Sequence, residues 1–226
     1  MTDAYVISVP QRANSAARVF KGLNHIPYID RVVMLPDHER RGPWWNTARA
    51  LTYIATEGRG GLIVQDDVKI RGKALEAHLE ALVGHLGTYG LISLFAPPQI
   101  KYDRLNEQGY HGEVSRNFFW AQMYLVSAKF AQDVLECDAM LDQSKVTIHD
   151  EIRFRYAAQV VGTKMVTLAS SFCEHDLDVK SVMGTPPKIG SVVRNTRNLA
   201  TEAGDFTTLR LKEGPLTDKD IQEYSA

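Results

Sequence analysis

The chain has 226 residues, 44% hydrophobic and 23% charged, a balance that excludes a disordered or collagen-like polypeptide. Its 26 Lys and Arg nearly cancel 27 Asp and Glu, leaving a net charge of −1, so any nucleic-acid contact needs a local basic patch. Cys137 and Cys173 match no metal-ribbon spacing, no apolar run is long enough to span a bilayer, and the N-terminus MTDAYVISVPQR lacks a leader pattern, which predicts a cytoplasmic chain in a reducing compartment.

Taken in chain order, short β-rich runs fall at residues 4–9, 31–35, 61–65, 91–95, 120–126 and 164–168. Most are apolar at successive positions, the pattern of strands covered on both faces. Helical stretches lie between or after them at 13–22, 46–56, 74–86, 128–135 and 150–161, the last opening on acidic residues as helix N-termini prefer. The alternation predicts one α/β domain, Rossmann-like, with a mixed, mainly parallel sheet flanked by helices. Two stretches break it. Residues 96–117 are polar and Gly/Pro-punctuated, long enough to read as a lid or binding loop. Residues 180–197 carry Lys180, Lys188, Arg194 and Arg197 with no acid, and read as an irregular basic segment. The domain core is placed at 1–184, with 185–226 as a basic segment and polar tail packed on it.

Four segments carry the candidate chemistry. In LIVQDDV, three apolar residues end in Asp66 and Asp67 where a strand leaves the sheet, the edge at which open α/β folds bind ligands. Two adjacent carboxylates repel and resist burial, so a cation is a natural partner; the plain alternative is one turn-capping and one solvated aspartate. In SSFCEHDLDVKSVMG, His175 follows a predicted strand and suits a divalent ion, while Lys180 suits a phosphate; a surface histidine in an acidic turn is the bland counterpart. In TIHDEIRF, Asp150 and Glu151 either serve a helix N-terminus or supply a general base. In GPWWNTARAL, Asn46 is a candidate N-cap with Arg49 one turn on, and Trp44 and Trp45 cannot face the same side: one packs inward and the other offers a stacking surface, or both pack.

In this order the segments resemble the GT-A class of nucleotide-sugar glycosyltransferases, and GPWWN, QDDV, HDE and EHDLDVKSVMG look like small members found in bacteriophages and their hosts. The resemblance covers roughly residues 4–184 as a pattern order, including FFWAQMYLVSAKFA. It implies a UDP-sugar or related donor held by Ser8, Pro10 and Arg12 at the first strand's exit, by Asn46 and Arg49, by Asp66, and by Lys180 and Ser181 at the diphosphate. It implies Mn²⁺ or Mg²⁺ on Asp67 and His175, and Asp150 or Glu151 as base if transfer inverts the anomeric centre. Gln65 stands where the family motif has its first carboxylate, so one ligand fewer is present. Phage-type members suggest a hydroxymethylated pyrimidine in DNA as acceptor, tracked by Lys188, Arg194 and Arg197; a saccharide or cell-surface glycan is the other acceptor class. A nucleotidyltransferase of similar layering usually carries a glycine-rich loop after the first strand, and SVPQRANSAAR has no glycine. A non-catalytic nucleotide-sugar or nucleic-acid binding module is the rival from another class.

Overall fold

The computed structural model describes residues 1–96, 99–116, 118, 121–143, 150–179 and 198–214. Strand β1 (Thr2–Ser8) runs through a 3₁₀ turn (Pro10–Arg12) into helix α1 (Ala13–Leu23), followed by β2 (Ile29–Pro36), α2 (Pro43–Glu57), β3 (Gly61–Gln65), β4 (Val68–Ile70) and α3 (Gly72–Gly84). Then come β5 (Leu91–Ser93), α4 (Ile100–Glu107), β6 (Gly112–Ser115), β7 (Met123–Val126), α5 (Ala128–Asp138), α6 (Asp150–Val161), β8 (Met165–Leu168), β9 (Cys173–His175) and β10 (Leu211–Glu213).

The fold is α/β. Among the described residues, eight strands form one mixed sheet in the order β10-β6-β8-β5-β7-β3-β1-β2. The pairs β1–β2, β1–β3, β5–β8 and β10–β6 are parallel, whereas β7 is antiparallel to β3 and β5, and β6 to β8. Strands β1, β2, β3, β5 and β8 therefore end at the same edge. Successive side chains of β1 enter opposite cores: Ala4 and Val6 pack with Val19 and Leu23 of α1, while Tyr5 and Ile7 pack with Leu51 and Ile54 of α2. This two-sided burial is why the strands read as continuous apolar runs rather than alternating ones.

The first crossover, through α1, places β2 on one side of β1; the second, through α2 on the other face, places β3 on the opposite side. The strand order thus reverses at β1, and the crevice beyond the ends of β1 and β3 is the topological switch point.

Several expectations are corrected. Residues 96–117 are not a lid: α4 and β6 lie within them, and β6 joins the main sheet. Only Tyr102 and Leu105 of α4 are buried, packing on Ala169 in a small separate cluster, so its apolar face is too sparse to show as a period. Helix α2 starts at Pro43 rather than 46: proline's preset φ suits the first helical position, and Gly42 occupies the cap with φ 98°. Asn46 is therefore an interior helical residue, not the N-cap. The three-residue strands β4, β9 and β10 are too short to carry a periodicity of their own. Of residues 185–226, those described add β10 at the sheet edge and insert Phe206 against Phe172 in the core.

β6 can lie against β8 because residue 112 is glycine: a Cβ there would meet Thr167 O at 2.3 Å and Leu168 Cα at 2.9 Å, both backbone. Gly112→Ala is expected to destabilise the protein by about 1–3 kcal/mol, since neither strand can yield without loosening the sheet. Denaturant unfolding checks this; an unchanged midpoint would contradict the close approach.

Candidate active site

At the switch point, β1 ends in Ser8 and the chain turns through Val9 into the 3₁₀ turn, with exposed Pro10 at its first position and Arg12 at its last. The neighbouring strand β3 ends in Gln65, followed by buried Asp66 and Asp67. Asp66 accepts from the Val9 backbone N–H at 3.0 Å through Oδ2 and from Arg12 at 2.9 Å through Oδ1. The same Arg12 nitrogen donates to Asp67 Oδ2 at 2.7 Å. The cation demanded by two adjacent carboxylates is thus, in this structure, a guanidinium from the β1 exit. Burial raises the Asp66 pKa; the bonds from Arg12 and Val9 pull the other way without cancelling it, and the Asp67 charge adds to the rise.

Asp67 is less completely satisfied. Its Oδ1 is buried with no hydrogen-bond partner among the described residues, although Oδ2 is held by Arg12. Strand β4 begins one residue later and pairs antiparallel with β9 in a separate two-stranded sheet, Val68 opposite His175. Next to this pair, Asp176 donates its backbone N–H to Asp67 O at 2.7 Å. The result brings His175 Nε2 to 3.6 Å from Asp67 Oδ2 across more than 100 residues of chain. The juncture is anchored by the nearly sealed Asp176 carboxylate, which binds Arg18 of α1 at 2.8 Å and Lys69 of β4 at 3.0 Å. Burial alone would raise the Asp176 pKa, but these partners hold it below the ordinary carboxylate value.

Helix α2 closes another side. Asn46 donates to Ser8 O at 3.0 Å, and its Oδ1 accepts from Arg49 at 3.2 Å. Arg49 also reaches Pro36 O at 3.3 Å and lies over the Trp45 ring, 4.6 Å from its centroid, with Arg41 5.1 Å away. Trp44 faces elsewhere: its indole N–H donates to Asp138 at 3.1 Å, and Arg153 lies over its ring. The two tryptophans do diverge, but Trp45 stacks with arginines of this chain. Asp37 clasps the loop before α2, accepting from the Arg41 N–H at 2.9 Å and the Gly42 N–H at 2.8 Å.

Asp150, first residue of α6, is buried and accepts from Thr47 Oγ1 at 2.5 Å, while its Oδ1 has no hydrogen-bond partner among the described residues. Burial pushes its carboxyl up to about 7; the Thr47 bond and Arg153 oppose that rise and the Glu151 charge adds to it. Half-buried Glu151 accepts a long bond, 3.4 Å, from the Ala121 N–H.

The structure therefore gathers Ser8, Arg12, Asn46, Asp66, Asp67 and His175 around the β1 and β3 exits. Asp150 is tied to this group through α2, where its partner Thr47 follows Asn46. Lys180, Ser181, Lys188, Arg194 and Arg197 lie outside the described residues. Sequence reasoning missed Thr47, Asp37 and the counter-ion role of Arg12. An aspartate shortly before a Gly-Pro turn is the one local hint of the Asp37 clasp; nothing local marks Thr47 or the pairing of Arg12 with β3. As to a metal, Asp67 and His175 could supply two ligands, with Asp67 Oδ1 open and His175 Nε2 near the Oδ2 that Arg12 holds, and among the described residues no group of three or more His, Cys, Asp or Glu side chains is placed to hold an ion.

No family model matches the chain, and no curated protein matches it. Among solved structures, A197 from STIV aligns at 12% identity over 77% of this chain and 84% of its own, with a TM-score of 0.37. The inositol-1-phosphate CTP transferase from T. maritima aligns at 10% identity over 74% of this chain and 66% of its own, with a TM-score of 0.35. At such scores neither alignment bears on the chemistry of the site.

The Asp150 environment has a pH signature. A carboxyl raised to about 7 when folded and near 4 when unfolded binds more protons in the native state, so its contribution to stability falls as pH rises through that window. Asn imitates the protonated acid at every pH. The melting temperature of Asp150→Asn relative to the parent should therefore climb between pH 5 and pH 8; a flat difference would contradict the raised value.

Proposed function

We propose that the protein is a divalent-metal-dependent glycosyltransferase that moves a sugar from a nucleotide donor, UDP-linked, to an acceptor hydroxyl. The observation that supports this reading is the buried Asp67 carboxylate at the switch point, one oxygen of which has no hydrogen-bond partner among the described residues while the β4–β9 pairing brings His175 to 3.6 Å from the other. Asp67 and His175 would hold Mn²⁺ or Mg²⁺, which supplies charge neutralisation for the departing diphosphate. Ser8, Pro10, Asn46, Arg49 and Asp66 would hold the nucleoside and sugar, and Lys180 and Ser181 would serve the diphosphate, as the resemblance implies.

In the reaction, the acceptor oxygen bonds to the anomeric carbon as the bond from that carbon to the diphosphate oxygen breaks. For an inverting transfer, the acceptor proton goes to a carboxylate. Asp150 suits the role chemically: near neutral pH it is partly ionised, and among the described residues Oδ1 has no hydrogen-bond partner to displace. Glu151 is the neighbouring alternative. Calorimetry with UDP should show binding that Mn²⁺ strengthens and Asp67→Asn largely abolishes; equal UDP affinity with and without metal in both proteins would reject the site.

The acceptor we propose is a hydroxymethylated pyrimidine in DNA. Its support is the resemblance to phage-type enzymes and the acid-free stretch bearing Lys188, Arg194 and Arg197, suited to following a phosphate backbone. Radiolabelled UDP-sugar offered hydroxymethylated DNA, unmodified DNA and oligosaccharides should label the first alone, less so as salt rises or when Arg194 and Arg197 are reversed to Glu. Label on the oligosaccharide alone would assign the enzyme to glycan synthesis.

A further inference from the structure

Arg12 stands in an unusual position for a residue expected at a nucleotide donor. One guanidinium nitrogen lies 2.9 Å from Asp66 Oδ1 and 2.7 Å from Asp67 Oδ2, and all three side chains are nearly sealed from solvent, 11%, 5% and 8% exposed. Its backbone is fixed by the 3₁₀ turn, where the Arg12 N–H donates to Val9 O at 2.9 Å and the Val9 N–H donates to Asp66. The guanidinium therefore occupies the place against Asp67 Oδ2 that a cation shared with His175 would take, since His175 Nε2 approaches that same oxygen.

We infer that Arg12 is a built-in counter-ion that makes metal binding depend on the nucleotide diphosphate. The inference rests on reading Asp67 as a metal ligand. Among the described residues Arg12 offsets one of the two carboxylate charges, and a divalent ion arriving alone must either displace the guanidinium or sit against a like charge. A diphosphate removes both costs. Its oxygens accept the guanidinium as it leaves Asp67, a bidentate match for arginine, and they complete the metal's shell. Metal and diphosphate then strengthen each other's binding reciprocally, and the donor-free crevice keeps its carboxylates neutralised without recruiting stray cations. Arg12 is on this account a positioning residue whose charge switches partner.

The test is Mn²⁺ binding to the purified, full-length protein, read by electron paramagnetic resonance of free Mn²⁺ with and without UDP, in the parent, Arg12→Gln, Arg12→Lys and Asp67→Asn. Without UDP, Arg12→Gln should bind Mn²⁺ at least roughly tenfold more tightly than the parent, and the gain conferred by UDP should shrink by a similar factor. Arg12→Lys, which keeps the charge, should stay near the parent. In thermal unfolding without UDP, Arg12→Gln should melt lower than the parent and be restored by Mn²⁺, because the ion replaces the missing counter-charge. A merely structural arginine would leave a loss that Mn²⁺ does not repair. If UDP-dependent Mn²⁺ binding is present and abolished by Asp67→Asn, yet Arg12→Gln binds Mn²⁺ no better than the parent, the counter-ion role is overturned while the metal site stands. If Mn²⁺ binds none of the four proteins under any condition, the metal reading itself falls and takes this inference with it.

Discussion

The structure turns on how two neighbouring carboxylates are kept buried at the end of a strand. Asp66 and Asp67 are nearly sealed, and a few ångströms between like charges in a protein interior costs several kcal/mol unless a cation intervenes. Arg12 supplies that cation only because β1 and β3 are hydrogen-bonded in parallel, Ile7 opposite Gln65, so that both strands end together and the turn after one overhangs the acids after the other. The register of two central strands and the electrostatics of the crevice are the same fact.

The opposite end of β1 offers a contrast that gives the crevice its meaning. There a buried Asp3 meets two guanidiniums, Arg31 at 2.6 Å on one oxygen and Arg59 at 2.9 Å on the other, with both arginines further engaged by Glu57 and Asp30. One carboxylate with two cations is a closed arrangement that ties β1 to β2 and to the loop before β3. At the other end, among the described residues, the ratio is inverted, two carboxylates to one guanidinium, and one acid oxygen has no hydrogen-bond partner. Buried polar atoms are rarely left without partners, and the groups that are tend to be ones that work. The same strand thus carries a finished polar network at one end and an unfinished one at the other.

The remainder of the fold serves to bring distant chain to that unfinished end. Helices on both faces anchor β1 and β3, α2 fastens the β1 exit through Asn46, and the small β4–β9 sheet returns the chain after β8 to the residue following Asp67. Asp176 then locks this return to α1 through Arg18 and to β4 through Lys69. Among the described residues, no helix is long and apolar enough to cross a membrane.

The two-sided strands, the parallel α/β layering and the acidic exit of β3 were legible in the sequence, because each is written locally as an apolar run, a helical period or a dipeptide at a strand end. The helices at 13–22 and 150–161 needed no more than that. What only the tertiary structure decided is what meets at the acids. His175 lies 108 positions from Asp67, and the strands that join them have three residues each, too short to leave a pattern. The guanidinium that bridges the pair comes from another strand's exit, where a basic residue is expected to hold the nucleoside of a donor. Thr47 on Asp150 is an ordinary helix-interior residue until α2 packs on α6. Local chemistry determines which residues can carry charge at a strand end; which charges face one another depends on strand register and crossover, and those are set by burial across the whole sheet.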